Sequence, residues 1–214
     1  MNVSEMKNSL FKPRDGKRPG IREILNTELF SLATRYNARC FVETGTHYAY
    51  TLMAMWETNY FEKILSVELS EDIFRFVGKK IASNYGSTES TTDVNIWLGD
   101  CVEILPEMLK KVDSRAIFWL DAHCSEGDTA RVEEYDSTIL HELKIISQHT
   151  IKDHVIAIDD INSCYNQISD YPTIEEIKDA LMDINDRYMV TIKYGVLFAE
   201  VPASLEENYA DGYQ

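Results

Sequence analysis

Residues 189–201 read MVTIKYGVLFAEV, two strand-like runs parted only by a turn at Gly195. No helix fits between them, so the two runs must pair antiparallel. Upstream the pattern is different. Runs at 39–44 (RCFVET), 63–68 (KILSVE), 94–98 (VNIWL), 116–120 (AIFWL) and 155–158 (VIAI) are short and largely apolar on both faces. Each is followed by a longer segment that reads as a helix: 48–60, 71–83, about 106–111, 135–149 and 173–185. Pro106 suits a first helical turn, and Thr173 is a natural N-cap ahead of Glu175 and Glu176. A further helix over 21–36 precedes the first strand, and residues 84–92 (NYGSTESTT) form a polar loop. Strands buried on both faces and separated by helices build a parallel sheet covered on both sides. The expected fold is therefore α/β: a doubly wound, mostly parallel seven-stranded sheet ending in an antiparallel hairpin.

The 214 residues, 44% hydrophobic, suit one domain over 21–214 preceded by a basic arm over 1–20. The net charge of −15 would repel a phosphate backbone, which disfavours a nucleic-acid substrate. The charge is uneven. Residues 1–22 hold six basic residues against two acidic ones, a net +4. That start reads either as a flexible arm at a domain boundary or as an arm that closes over an acidic or phosphorylated substrate. Cys40, Cys101, Cys124 and Cys164 form no CxxC pair and match no zinc spacing, so they read as structural thiols in a reducing compartment. There is no apolar leader and no stretch of about 20 apolar residues, so a cytoplasmic protein with no membrane partner is expected.

Open α/β sheets bind ligands beyond the carboxyl ends of their strands, so polar residues there carry the chemistry. The first strand runs into Glu43-Thr44-Gly45-Thr46-His47, with Thr51 shortly after. The second ends at Glu68-Leu69, where an acidic side chain can accept hydrogen bonds from two ribose hydroxyls. The third ends in Gly99-Asp100-Cys101. Three acidic ends, in order on three successive strands, make a specific signal. Together with five βα units and a terminal hairpin they resemble the class I S-adenosylmethionine-dependent methyltransferases. An NAD-binding sheet would continue with parallel crossovers and carry GxGxxG in its first loop. The resemblance implies S-adenosyl-L-methionine as cofactor. Glycine in the first loop lets backbone approach the donor's methionine part, and Asp100 with the Cys101 N–H reads the adenine amino edge. The later glycine usual in this loop is absent, with Ala49 or Tyr50 near its place.

The fourth strand ends in Leu120-Asp121-Ala122-His123 and the fifth in Ile158-Asp159-Asp160. Three carboxylates at close range repel, so one takes up a proton unless a hard divalent cation removes the conflict. The pattern resembles the metal-dependent O-methyltransferases, of the catechol type and of the macrolide-sugar type (macrocin O-methyltransferase-like). By that resemblance Asp121, Asp159 and Asp160 would hold Mg²⁺ or Mn²⁺, Asp121 would also line the donor site, and His123 would be the general base. The run FWLDAHCSEGDTARVEEYDSTILHEL (residues 118–143) resembles glycan-modifying methyltransferases, a likeness that covers about residues 40–175. It implies a sugar or glycan hydroxyl as acceptor. The rivals are a catechol-type small-molecule O-methyltransferase and a non-catalytic nucleotide-binding Rossmann-like module. A homo-oligomer, or attachment to another glycan-processing domain through the N-terminal arm, is the expected assembly. His141, His149 and His154 read as surface or capping residues, and Trp56, Trp97 and Trp119 as core packing.

Overall fold

The computed structural model describes residues 20–85, 90–122, 137–161 and 171–202. Their elements run α1 (Ile21–Arg35), β1 (Cys40–Thr44), α2 (Tyr50–Glu57), β2 (Lys63–Glu68), α3 (Glu71–Tyr85), β3 (Asp93–Leu98), α4 (Cys101–Leu109), β4 (Ala116–Leu120), α5 (Ile139–Ile146), β5 (Val155–Ile158), α6 (Ile174–Ile184), β6 (Met189–Lys193) and β7 (Val196–Glu200). The seven strands form one sheet in the order β3-β2-β1-β4-β5-β7-β6. Pairings from β3 through β5 are parallel, whereas β7 runs antiparallel to both β5 and β6. The expected sheet is the observed one.

Alternation along the strands divides the core into two layers. Val42, Leu65, Phe118 and Ile156 face α4, α5 and α6, while Phe41, Ile64, Ile117 and Ala157 face α1, α2 and α3. Both layers are fully enclosed, as covered parallel strands require. The edge strand β3 is the exception, with no fully buried residue, which matches its polar positions Asp93 and Asn95. The β6–β7 hairpin closes through Tyr194 (φ +57°) and Gly195 (φ +83°), two left-handed residues whose twist suits a two-residue antiparallel turn.

One helix departs from its expected bounds. The α4 helix begins at Cys101, so Pro106 lies inside it and not in its first turn. The cause is Asp100, whose carboxylate accepts the Val102 N–H at 2.8 Å and starts the helix five residues earlier than the proline suggested. The α6 start is as expected: Thr173 accepts the Glu176 N–H, and the Glu176 carboxylate accepts the Thr173 N–H in return.

At the amino end of the sheet lies a histidine relay. His154 is fully buried, and its Nδ1 accepts the Ala116 N–H at 3.1 Å. Its proton is therefore on Nε2, which donates to His149 Nδ1 at 2.9 Å, leaving His149 Nε2–H to donate to the Val112 carbonyl at 3.1 Å. His154 is thus an internal strut, contrary to the surface or capping role expected of it, whereas His149 is half-buried and ties the end of α5 to Val112. Burial pushes His154 down to about 3, so it stays neutral.

Candidate active site

Parallel pairing in register brings the strand ends into one row. Thr44 pairs with Val67 and Leu120, Leu120 with Ile158, and Glu68 with Leu98. The ladder continues one step past the strands. Gly45 N–H donates to the Val67 carbonyl at 3.0 Å, Asp121 N–H to Thr44 at 3.0 Å, Asp159 N–H to Leu120 at 3.1 Å and Gly99 N–H to Glu68 at 2.9 Å. Residues of the candidate site are thereby held by sheet-like backbone bonds, and their side chains converge on one rim.

The loop after β1 carries the donor-site candidates. Thr46 donates to Ser66 Oγ (2.6 Å), because the single Ser66 hydroxyl proton goes to Glu43 Oε2 at 2.7 Å. Glu43 is buried, and desolvation pushes its carboxyl up to about 8, opposed by the Ser66 hydrogen bond. Glu68, also buried, accepts the His47 N–H at Oε2 (2.7 Å) and the Ser70 N–H at Oε1 (2.8 Å). Two backbone donors fix the plane of this carboxylate, and each oxygen keeps a lone pair for an incoming hydroxyl. His47 (φ +46°) and Ala49 (φ +57°) are non-glycine residues in left-handed conformation, local strain of the kind that concentrates in ligand loops.

Gly45 is required by the chain itself, whatever it offers a ligand. At φ +82°, a Cβ built on it would stand 2.4 Å from the Asp121 carbonyl oxygen and 2.8 Å from its carbon. Its hydrogen side chain lets β1's loop cross the end of β4, so the glycine secures a backbone crossing within the protein. Thr51 is buried in the first turn of α2, Leu69 is half-buried beyond β2, and Cys101 is buried at the start of α4. Asp100 uses one oxygen to cap α4 just beyond the end of β3.

Consecutive residues of β1 point to opposite layers. Glu43 shares a layer with Trp119, whereas Thr44 faces the other, where Glu142 of α5 is fully buried. Glu142 accepts the Thr138 hydroxyl at 2.9 Å, and burial pushes its carboxyl up to about 7. Its second oxygen has no hydrogen-bond partner among the described residues.

Asp121, Asp159 and Asp160 gather where β4 and β5 end. Burial, then the negative charges of Asp159, Glu43 and Asp160, drives the Asp121 carboxyl far above its ordinary value. Asp159 is pushed up to about 6 by burial, although its Oδ1 accepts the Asp160 N–H at 2.8 Å. Asp160 is left-handed at φ +52°. Among the described residues, no three acidic, histidine or cysteine side chains are placed to hold one metal ion. The three aspartates assigned as ligands therefore share a charge conflict without forming a ready cage. His123 lies outside the described residues, as do Cys124, Arg131 and Cys164.

Two residues that the sequence did not single out for the site belong to it. Tyr171, just before α6, is buried with Asp160, Asp159, Glu142 and Asp121 as its electrostatic neighbours, and its phenol is pushed far up and stays protonated. Arg22, at the start of α1, lowers the proton affinity of both Glu43 and Asp159. Its guanidinium sits 4.9 Å from the centroid of the Tyr50 ring. Both reach the rim through tertiary contacts, so only a signal beyond local pattern could have found them.

The strand order and terminal hairpin, with acidic side chains on successive strand ends, can now be set beside known structures. An O-methyltransferase from Bacillus cereus in complex with SAH aligns at a TM-score of 0.58 and 15% identity, covering 94% of this chain and 89% of that one. The fold is that of the class I methyltransferases. The methyltransferase domain of bacterial CtHen1-CN aligns at 0.57 and 11% identity over 85% of this chain and all (100%) of that one. The O-methyltransferase TomG from Streptomyces achromogenes, in complex with SAM, aligns at 0.51 and 13% identity over 85% and 81%. No protein-family model matches the chain, and no curated protein does. At such identities the methyltransferase likeness is one of fold. Among the described residues, no helix is long and apolar enough to cross a membrane.

Proposed function

We propose that this chain is an S-adenosylmethionine-dependent O-methyltransferase acting on a hydroxyl of a sugar or glycan. The observation that carries the reading is the Glu68 carboxylate, buried at the end of β2 and fixed by the His47 and Ser70 N–H groups within a strained loop. SAM- and SAH-bound neighbours of the same fold support the donor. Bound S-adenosylmethionine would supply an electrophilic methyl group on a sulfonium, so the protein's task is alignment and proton removal. Glu68 binds the ribose hydroxyls, while Asp100 and the Cys101 N–H take the adenine edge. Asp121, its carboxyl held far above the ordinary value by burial and neighbouring charge, and Tyr171, which stays protonated, orient the acceptor through hydrogen bonds. Asp159, at about 6, accepts the hydroxyl proton as oxygen bonds to the methyl carbon and the carbon–sulfur bond breaks. His123, two residues after Asp121, is the second candidate base. Holding the reacting atoms in line supplies much of the remaining acceleration.

Metal assistance is a further part of the reading. Asp121, Asp159 and Asp160 form no ready cage as they stand; ionised and drawn together they would hold Mg²⁺ or Mn²⁺, a Lewis acid that would lower the pKa of a sugar hydroxyl, in place of the hydrogen-bonding role given to Asp121 above. Mutual repulsion among these carboxylates supports it, and no step above depends on it. The test is methyl transfer from labelled S-adenosylmethionine to a panel of saccharides, catechols and RNA oligonucleotides, with and without excess chelator. Transfer to saccharides that chelation abolishes is expected. Transfer to RNA but to no saccharide overturns the acceptor, and full activity in chelator overturns the metal. Donor binding without any transfer leaves a nucleotide-binding module.

A further inference from the structure

Beside the donor loop the protein exposes an aromatic face that the proposed chemistry does not use. Tyr48, Tyr50 and Phe76 are 39%, 53% and 52% exposed. The Tyr48 ring lies 6.4 Å from Tyr50, 5.8 Å from Phe76 and 4.4 Å from His47, each in an edge-to-face arrangement. Two cations share the Tyr50 ring: the Arg22 guanidinium at 4.9 Å and the Lys80 ammonium at 5.3 Å from its centroid. Lys80 is also anchored, donating to the Tyr48 carbonyl at 2.9 Å. The two cations approach one ring from positions where a single anion could touch both.

Position adds a second argument. The positive charge of Arg22 is felt by Glu43 at the end of β1 and by Asp159 at the end of β5. Arg22 thus stands between the acidic rim and the aromatic face. A charged acceptor is repelled by Asp159 and Asp160, so its anionic group must lie on the far side of Arg22 while a hydroxyl reaches the rim. Resting on the methyltransferase reading above, we propose that Arg22, Tyr50 and Lys80 form an acceptor subsite for the phosphate or carboxylate of an anionic saccharide. The sugar ring lies on the Tyr48, Tyr50 and Phe76 face, and the guanidinium fork of Arg22 grips the anion.

The experiment titrates the full chain, loaded with S-adenosylmethionine, with a hexose, the matching hexose monophosphate, the matching hexuronate and inorganic phosphate. Binding is read by calorimetry and turnover by label transfer. At least one charged sugar should bind about 10-fold or more tightly than the hexose, with a preference that falls as salt is raised. The two charged sugars separate phosphate from carboxylate as the preferred anion. Arg22→Met should collapse that preference, and Arg22→Lys should restore part of it. Equal binding of charged and neutral sugars, or a preference untouched by Arg22→Met, overturns the subsite. If the protein binds no S-adenosylmethionine the enzyme reading fails by itself. The subsite is then decided by sugar binding to the unloaded protein, where Arg22→Met must still weaken the charged sugar.

Discussion

Glu43 offers a sharp test of how the rim is built, because its burial makes folding take up a proton. Its carboxyl moves from an ordinary 4.5 to about 8 in the folded protein. A group raised in this way contributes stability that is complete below pH 4.5 and is lost as pH rises through about 8. Between those values the slope approaches ~1.4 kcal/mol per pH unit. Integrated from pH 6 to pH 8, this one side chain costs the protein about 2 kcal/mol. Glu43→Gln keeps the shape and a carbonyl acceptor for the Ser66 hydroxyl at 2.7 Å, yet it cannot ionise. Urea unfolding across pH 5.5–8.5 should show the variant gaining on the wild type by that amount as pH rises. Taking the difference between the proteins cancels the titrations of groups that do not feel Glu43, such as Glu142. Parallel stability curves would show that Glu43 is not held neutral. A wild type that gains on the variant with rising pH would show Arg22 dominating burial.

Three further outcomes are expected. Glu68→Ala should weaken S-adenosylmethionine binding by about 1–3 kcal/mol, since two hydroxyls lose a charged acceptor, and unchanged affinity by calorimetry would remove Glu68 from the donor site. Gly45→Ala should destabilise the fold by about 2–4 kcal/mol, from the left-handed backbone and from a Cβ driven into the Asp121 carbonyl; a loss under about 0.5 kcal/mol in denaturant would show that the crossing yields easily. His154, lowered to about 3, contributes stability present above its ordinary 6.5 and lost as pH falls toward 3. The wild type should therefore lose about 2 kcal/mol more than His154→Asn between pH 7 and pH 5, and equal losses in thermal unfolding would place that ring outside the core.

The parts of this protein that the sequence made legible are those set by local pattern. Strands β2, β4 and β5 fall where apolar runs bounded by polar residues placed them, and the capping box fixed the start of α6. Glu43, Glu68 and Asp100 could be found because a parallel sheet puts every strand end on one rim. What escaped depends on through-space neighbours. Arg22 lies in a stretch whose charge suggested an arm, and only the packing of α1 against α2 carries it to Tyr50. Tyr171 stood beside a helix cap and gave no sign that four carboxyls surround it. Gly45 has a second reason that the sequence did not show, since a close approach to one's own chain and to a ligand demand the same residue. The start of α4 was misjudged because Pro106 is a visible marker, whereas Asp100 acts through a single hydrogen bond.

The terminal hairpin has a consequence beyond sheet order. Its closing turn accepts the Ile161 N–H at the Gly195 carbonyl, 3.0 Å away, just beyond Asp159 and Asp160. A segment 34 positions downstream of Ile161 thus clamps the loop that bears the acidic pair. Grafting a hairpin from another protein of this fold, or lengthening its turn by one residue, would displace those carboxylates without altering a residue of the rim. Under the proposed function, acceptor chemistry would drift through the turn while the loops after β1 to β3, proposed to hold the donor, kept their shape.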